Sequence, residues 1–356
     1  MKSAMRRAKI VVTRLYNGQG LGNQLWVYGV TRAYALRNQI PYRIECHWRF
    51  KGKELFNFKK GRFGLYSPLR YPKKNRGKFR ELQFIEEKIR VPGLSYDFSP
   101  FKEIPYSNRR IRLEGNFESE KYLFGIEDEL KNELQVTNPI DVPENICIIN
   151  VRGGDYLGSP EILLDSNYYS TAMDFMKNKY KQVEFAIITD DLNYARKLLP
   201  GVPVLSTAIN DYLRPNSSDI GKIEIDFNIL QNAKKLIIGN SSFAWWATWT
   251  NTHSPFVIAP RFWDSHKSEI QVWAPNSILT KEWFWLSKEG VLRSYDEESN
   301  LLSLGKIRQI EQISEAETTA NWIIGKPKHF FKNWIFKKIG SNRYFQIVNA
   351  WRKRLL

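Results

Sequence analysis

Between Ile146 and Pro260 the chain alternates, at short intervals, between apolar runs and segments of helical period. ICIINV, VEFAIITD, VPVLS, KLIIGN and PFVIAP are too apolar and too short for anything but buried strands, with PFVIAP the last of them. SNYYSTAMDFMKNKY, opened by a Ser/Asn cap, then DLNYARKLL, EIDFNILQNAK and SSFAWWATWTN read as the intervening helices. Strands that alternate with helices form a parallel sheet covered on both faces. A shorter version opens the chain. KIVVTRLY is a strand, NGQGLGNQ a glycine loop, LWVYGVTRAYALRNQ a helix and PYRIE a second strand. Another strand at Ile111–Glu114 leads into a helix ending near Leu134.

NPIDVPEN, with two prolines and no periodicity, separates the two patterns. The expected fold is therefore α/β, with two Rossmann-like domains and a cleft between them. Residues 1–140 form the first domain and 141–295 the second. Residues 296–325 form a helical crossover segment, and 326–356 a basic amphipathic tail. The stretch from Lys51 to Arg90 is basic, aromatic and aperiodic, and reads as loops and short elements. Ligands of such folds bind in the cleft, outside the carboxyl ends of the strands.

That rule directs attention to INVRGGDY. Arg152 follows the strand ICIINV, and a guanidinium binds phosphate through two parallel hydrogen bonds. Gly153 and Gly154 allow a sharp turn, and Asp155 can hold the arginine, fix the loop or act on a hydroxyl. In TDDLNYA, Asp190 either caps a helix or accepts from a nucleotide, and Asp226 in IEIDFNILQNAK either begins its helix or does likewise. Ser241 and Ser242 stand where a helix N-terminus follows a strand, which is an anion site as well as an ordinary cap. Gly20, Gly22, Asn23 and Gln24 of NGQGLGNQ form a second glycine-rich strand-to-helix turn, with the two amides as candidate ligand readers. This turn lacks the third glycine of a dinucleotide fingerprint and the Lys-Ser/Thr of a P-loop.

Other chemistries leave no trace. The four histidines have no metal-ligand spacing, no G-x-S-x-G occurs, and no D-x-D is present to hold a divalent ion. No metal and no cofactor are expected. Cys46 and Cys147 read as buried thiols of a reducing compartment. The N-terminus lacks an apolar signal region, and no stretch reaches the roughly 18 apolar residues of a membrane span.

The order of the segments carries a resemblance. GQGLGNQLWVY, GNFESEKYLFGIEDEL, INVRGGDY, TDDLNYA, DFNILQNAKKLIIGNSSFAWWATW and the Trp-rich PRFWDS…EWFW together resemble the bacterial α-1,2-fucosyltransferases of glycosyltransferase family eleven, from about Gly18 to Trp285. The resemblance implies a GT-B architecture, with the acceptor bound by the first domain and the nucleotide sugar by the second. It implies GDP-fucose as donor and metal-independent, inverting transfer to a glycan hydroxyl. That hydroxyl would be the 2-OH of a galactose-type residue, in O-antigen or capsule synthesis. Carried over, Arg152 contacts the β-phosphate, Asp155 supports it, and Asp190, Asp226, Ser241 and Ser242 line the donor pocket. Glu161 is the first candidate for the catalytic base and Asp155 the second. The family motif H-x-R-R-x-D reads here Asn150, Val151, Arg152, Gly153, Gly154, Asp155, so its His and second Arg are replaced.

The formal charge of +17 is partly local, because residues 326–356 hold nine Lys or Arg and no acid, leaving +8 elsewhere. Phe330, Phe331, Trp334, Ile335, Phe336 and Trp351 interleave with those cations, the composition of a helix lying on anionic lipid. The expected location is cytoplasmic, peripheral on the inner face of the membrane. A nucleic-acid-binding module is disfavoured, since the remaining cations are dispersed and no such motif occurs. The altered motif also leaves open a catalytically altered, glycan-binding relative, or a transferase for another nucleotide sugar.

Overall fold

The structure, a computed structural model, describes residues 9–56, 82–86, 89–90, 97–98, 101–158, 162–205, 219–261, 272–273, 279–303 and 308–309. All of these fall in one compact unit, Met1–Ile310. The basic tail and most of segment 296–325 lie outside the described residues, as does Glu161.

The first half holds β1 (Val11–Arg14), α1 (Leu21–Arg37), β2 (Tyr42–Glu45), β3 (Leu82–Ile85), the short pair β4 (Ile89–Arg90) and β5 (Asp97–Phe98), β6 (Ile111–Glu114) and α2 (Glu127–Glu133). Four of the strands form a parallel sheet in the order β2-β1-β6-β3. β3 is one of the short elements expected in the aperiodic Lys51–Arg90 stretch, and it joins this sheet. It is an edge strand with only Phe84 buried, so its pattern carries little of the alternation that marks a strand.

The second half holds β7 (Ile146–Val151), α3 (Ser166–Lys179), β8 (Glu184–Thr189), α4 (Leu192–Leu198), α5 (Asp219–Asn232), β9 (Lys235–Ile237), α6 (Ser242–Trp249) and β10 (Phe256–Pro260). It continues with β11 (Val272–Trp273), β12 (Phe284–Leu286), β13 (Leu292–Ser294), α7 (Tyr295–Ser303) and β14 (Arg308–Gln309). Its six-stranded sheet runs β13-β12-β10-β9-β7-β8, parallel except for the β12–β13 pair. Two expectations change. VPVLS is reduced to a single bridge between Val204 and Ile187. PFVIAP is followed by further strands, one of them hidden in the tryptophan-rich EWFW run. The cap of α3 is Asp165, which accepts from the Tyr168 N–H at 3.1 Å, not the Ser/Asn pair after it.

Each half is an α/β sheet of Rossmann type, but they share one core. Thirteen of the seventeen residues of α1 are buried, so this helix is apolar nearly all round and lies between neighbours. Trp26 packs against Trp245 and Trp246 of α6, with ring centroids 4.2 and 4.9 Å apart. Gly29 makes the approach possible, because a Cβ there would lie 2.7 Å from the Trp246 ring. The connection between the halves is pinned as well. Asn228 of α5 donates to Asn138 O at 2.6 Å and accepts from the Ile140 N–H at 2.8 Å. At the other end, Glu298 of α7 is fully buried between Arg261 (2.9 Å) and Arg293 (3.4 Å). Both cysteines are free. Cys147 is buried, which pushes its thiol pKa up, whereas Cys46 is only half-buried. Among the described residues no helix is long and apolar enough to cross a membrane.

Candidate active site

A cleft of about 590 Å³ opens at the carboxyl ends of β7 and β8, lined from the first half by Gly18, residues 20–23 and Lys51 and from the second by the ends of β7 and β8 with residues of α5 and the start of α6. The cleft thus lies where the two α/β halves meet, at the strand ends to which the sequence directs attention. Arg152 leaves the end of β7 and is gripped by two carboxylates. Its Nη2 lies 2.5 Å from Asp155 Oδ1, and its Nη1 pairs with Asp190 Oδ2. Its guanidinium also stacks over the Tyr156 ring, 5.1 Å from the centroid, and Tyr156 in turn donates to Asn240 O at 3.0 Å. The arginine is therefore held in one orientation before any ligand arrives.

The two acids of TDD have separate duties. Asp191 caps α4, accepting from the Tyr194 N–H at 2.9 Å. Asp190 faces the cleft, where its Oδ1 accepts from the Gly153 N–H at 2.9 Å. Thus Asp190 anchors both the backbone of the glycine loop and the side chain that the loop presents.

The glycines are required by this packing. A Cβ on Gly153 would lie 2.8 Å from Asp191 Cβ and 2.9 Å from Tyr194 Cδ1. Gly154 has φ +36°, and a Cβ there would lie 2.6 Å from Asp190 Oδ2. The loop presses so closely on the β8–α4 turn that the position of the second family arginine has no room for a side chain.

Two helix N-termini line the same cleft as Arg152. Ser241 is the cap of α6, accepting from the Ala244 N–H, so the ordinary reading of that serine holds while its helix still points into the cleft. Ser242 Oγ donates to Asn23 Oδ1 at 2.7 Å, joining α6 to α1. The N-cap of α1 is Gly20, which offers no side-chain cap. Each N-terminus carries about half a positive charge, so a cleft with two of them favours an anion.

Gly20, Gly22, Asn23, Arg152, Asp155, Asp190, Asp226, Ser241 and Ser242 all line this one cleft. Two readings change. Asp226 does not begin its helix, since α5 starts at Asp219 and Asp226 lies well inside it. Gln24 is buried and reads no ligand. Its Nε2 donates to Arg49 O at 2.9 Å and its Oε1 accepts from the Lys51 N–H at 2.8 Å. Among the lining residues that the sequence reading did not assign to the site are Tyr156, Lys51 and Asn150. Tyr156 was within the quoted motif but reads as an ordinary aromatic. Lys51 lies in the aperiodic basic region, where no local pattern singles out one lysine. Asn150, 5% exposed, lines the cleft with its Oδ1 buried and unpartnered. Among the described residues no cluster of three or more His, Cys, Asp or Glu is placed to hold a metal.

Residues 80–287, more than half of the chain, match the family model described as Glycosyl transferase family 11. The chain belongs to glycosyl transferase family 11. This family 11 enzyme is 24% identical over 278 residues to an alpha-1,2-colitosyltransferase of Escherichia coli, an alignment covering 71% of this chain and 92% of the relative. It is 26% identical over 160 residues to the O-antigen biosynthesis glycosyltransferase WbnK of Escherichia coli, covering 42% of this chain and about half, 51%, of WbnK. Similar solved structures include the fucosyltransferase NodZ from Bradyrhizobium (14% identity, TM-score 0.36, 68% of this chain and 93% of that one). Another is a mutant of Arabidopsis thaliana FUT1 in complex with GDP (12% identity, TM-score 0.39, 72% of this chain and 71% of that one).

Proposed function

We propose that this glycosyltransferase moves L-fucose from GDP-fucose, with inversion and without a metal, to a hydroxyl of a surface glycan, the 2-OH of a galactose-type residue. The observation that carries the reading is Arg152, fixed by Asp155 and Asp190 at a strand end in a cleft that the N-terminus of α6 also lines. In such a transfer the acceptor oxygen attacks the anomeric carbon while the bond to the diphosphate breaks. Positive charge develops on the sugar and negative charge on the departing β-phosphate. Fixed donors and dipoles aimed at that phosphate lower the barrier because they need no reorganisation as the charge appears. Arg152 and the helix N-termini are such groups. The acceptor proton goes to a carboxylate, for which Glu161 is the first candidate. Asp155 is the second, and its side chain is 71% exposed at the cleft while one oxygen holds Arg152.

Incubation of the purified protein with each GDP- and UDP-sugar in turn tests the reading. Transfer or slow hydrolysis from GDP-fucose is expected, and its absence would overturn the donor assignment. Arg152→Ala is expected to lose at least about a hundredfold in kcat/KM, the order seen when one charge-stabilising donor is removed. Glu161→Gln is expected to bind donor but not transfer. A colitosyl donor is the second reading, supported by the relative whose length is 92% matched, and it belongs in the same panel. We place the enzyme at the cytoplasmic face of the membrane, held by the cationic, aromatic tail of residues 326–356.

A further inference from the structure

The charges of the cleft leave its anion site incomplete. The charged side chains lining it are Arg152, Lys51, Asp155, Asp190 and Asp226. Arg152 is matched by two carboxylates of its own, so the motif as a unit carries a formal charge of about −1 where a diphosphate must sit. The two helix N-termini together return only about +1. A nucleoside diphosphate brings further negative charge, which calls for another cation. Gly153 cannot supply it, because Asp191 and Tyr194 fill the space a side chain would need.

We propose that Lys51, from the first half of the chain, is the second cation on the diphosphate. It lines the same cleft and is exposed, and among the described residues its ammonium has no partner. Its backbone is not left to chance. The Lys51 N–H donates to Gln24 Oε1 at 2.8 Å, while Gln24 Nε2 holds Arg49 O at 2.9 Å. Gln24 is 1% exposed and sits in the first turn of α1, so the clamp fixes Lys51 relative to the helix N-terminus that faces the anion. Gly52 then lets the chain pass tightly under the Phe50 and Phe56 rings, with a Cβ there only 2.8 and 2.9 Å from them. A lysine on a flexible stem suits this duty, since it acts on phosphate as a point charge without the planar fit an arginine requires. Completion of the site by a residue of the opposite half makes donor binding depend on both halves.

This inference rests on the nucleotide-sugar reading above, and its test separates the two. Binding of GDP and of GMP is measured by calorimetry for full-length wild type, Lys51→Met and Lys51→Arg, with melting temperatures to confirm folding. Wild type is expected to prefer GDP. Lys51→Met is expected to weaken GDP by about tenfold or more while changing GMP by less than about twofold, as for loss of one charge-assisted contact. Lys51→Arg is expected to restore most of the difference, and the salt dependence of GDP binding is expected to be shallower in Lys51→Met. A Lys51→Met protein that still prefers GDP as wild type does overturns the role of Lys51 and leaves the donor reading standing. Equal losses for GDP and GMP, or no rescue by arginine, overturn it as well. Wild type that binds GDP no better than GMP removes the nucleotide reading itself, and the Lys51 role with it.

Discussion

Ser242 Oγ donates to Asn23 Oδ1 across 2.7 Å, joining the first turns of two helices whose residues lie 219 positions apart. The bond sits at the wall of the cleft, where Gly22 lets the helices touch. A Cβ on Gly22 would lie 2.4 Å from the backbone at Ser242 and Phe243. Backbone cannot swing aside as the end of a side chain can. Gly22→Ala is therefore expected to push α1 from α6, costing about 1–3 kcal/mol of stability and weakening nucleotide binding together. Thermal melts and GDP titration check this, and an unchanged melting temperature would contradict the packing.

Restoring the family pattern should not restore anything. Gly153→Arg puts a Cβ against Asp191 and Tyr194 at the cap of α4, within 2.9 Å of each. The expected outcome is loss of stability and of donor affinity, although a cation has been added beside Arg152, the proposed phosphate ligand. Tighter GDP binding by a well-folded Gly153→Arg protein would show that the loop has room that the packing denies it.

A carboxyl far from Arg152 in sequence gives a pH signature. Glu120 is 8% exposed and accepts from Trp249 Nε1 at 2.8 Å. Burial is the main cause that raises its pKa to about 7, with the Trp249 hydrogen bond opposing. Because the folded value exceeds the unfolded one near 4.5, the folded state holds the proton more tightly across that window. Its contribution to stability is full below about pH 4.5 and is lost as pH rises through about 7. Glu120→Gln, which keeps an acceptor for Trp249 without the charge, is expected to flatten the decline in melting temperature between those values. An unchanged pH profile would remove Glu120 as its source.

The tail makes a separate prediction. With nine cations and no acid among interleaved aromatics, residues 326–356 are expected to carry the full-length protein to the top of a gradient with anionic vesicles. Deletion of 326–356 is expected to leave it at the bottom. Flotation of the truncated protein, or none of the full-length chain, would contradict the anchor.

The local patterns that were legible are those a single element writes on its own residues. Buried strands such as ICIINV and VEFAIITD announce themselves because both faces are covered, and Arg152, Asp190 and Ser241 could be placed at element ends by chain order alone. Elements with weak local patterns are read less well. β3, inside a stretch read as loops and short elements, buries only one side chain, and VPVLS, read as a strand, keeps just one bridge to the sheet. The glycine loop before α1 was legible as a site, but Gln24 and Asn23 could not be told apart, since one amide turns inward to Arg49 and Lys51 and its neighbour faces the cleft.

The sequence by itself determined the α/β alternation, the arginine at a strand end and the serines at a helix start, because these follow from burial and chain order within a few residues. Only the tertiary structure decided why Gly153 has no side chain, which half carries Lys51 into the cleft and how Asn23 meets Ser242. Those outcomes depend on the space between segments distant in the chain, and no periodicity within either segment records it.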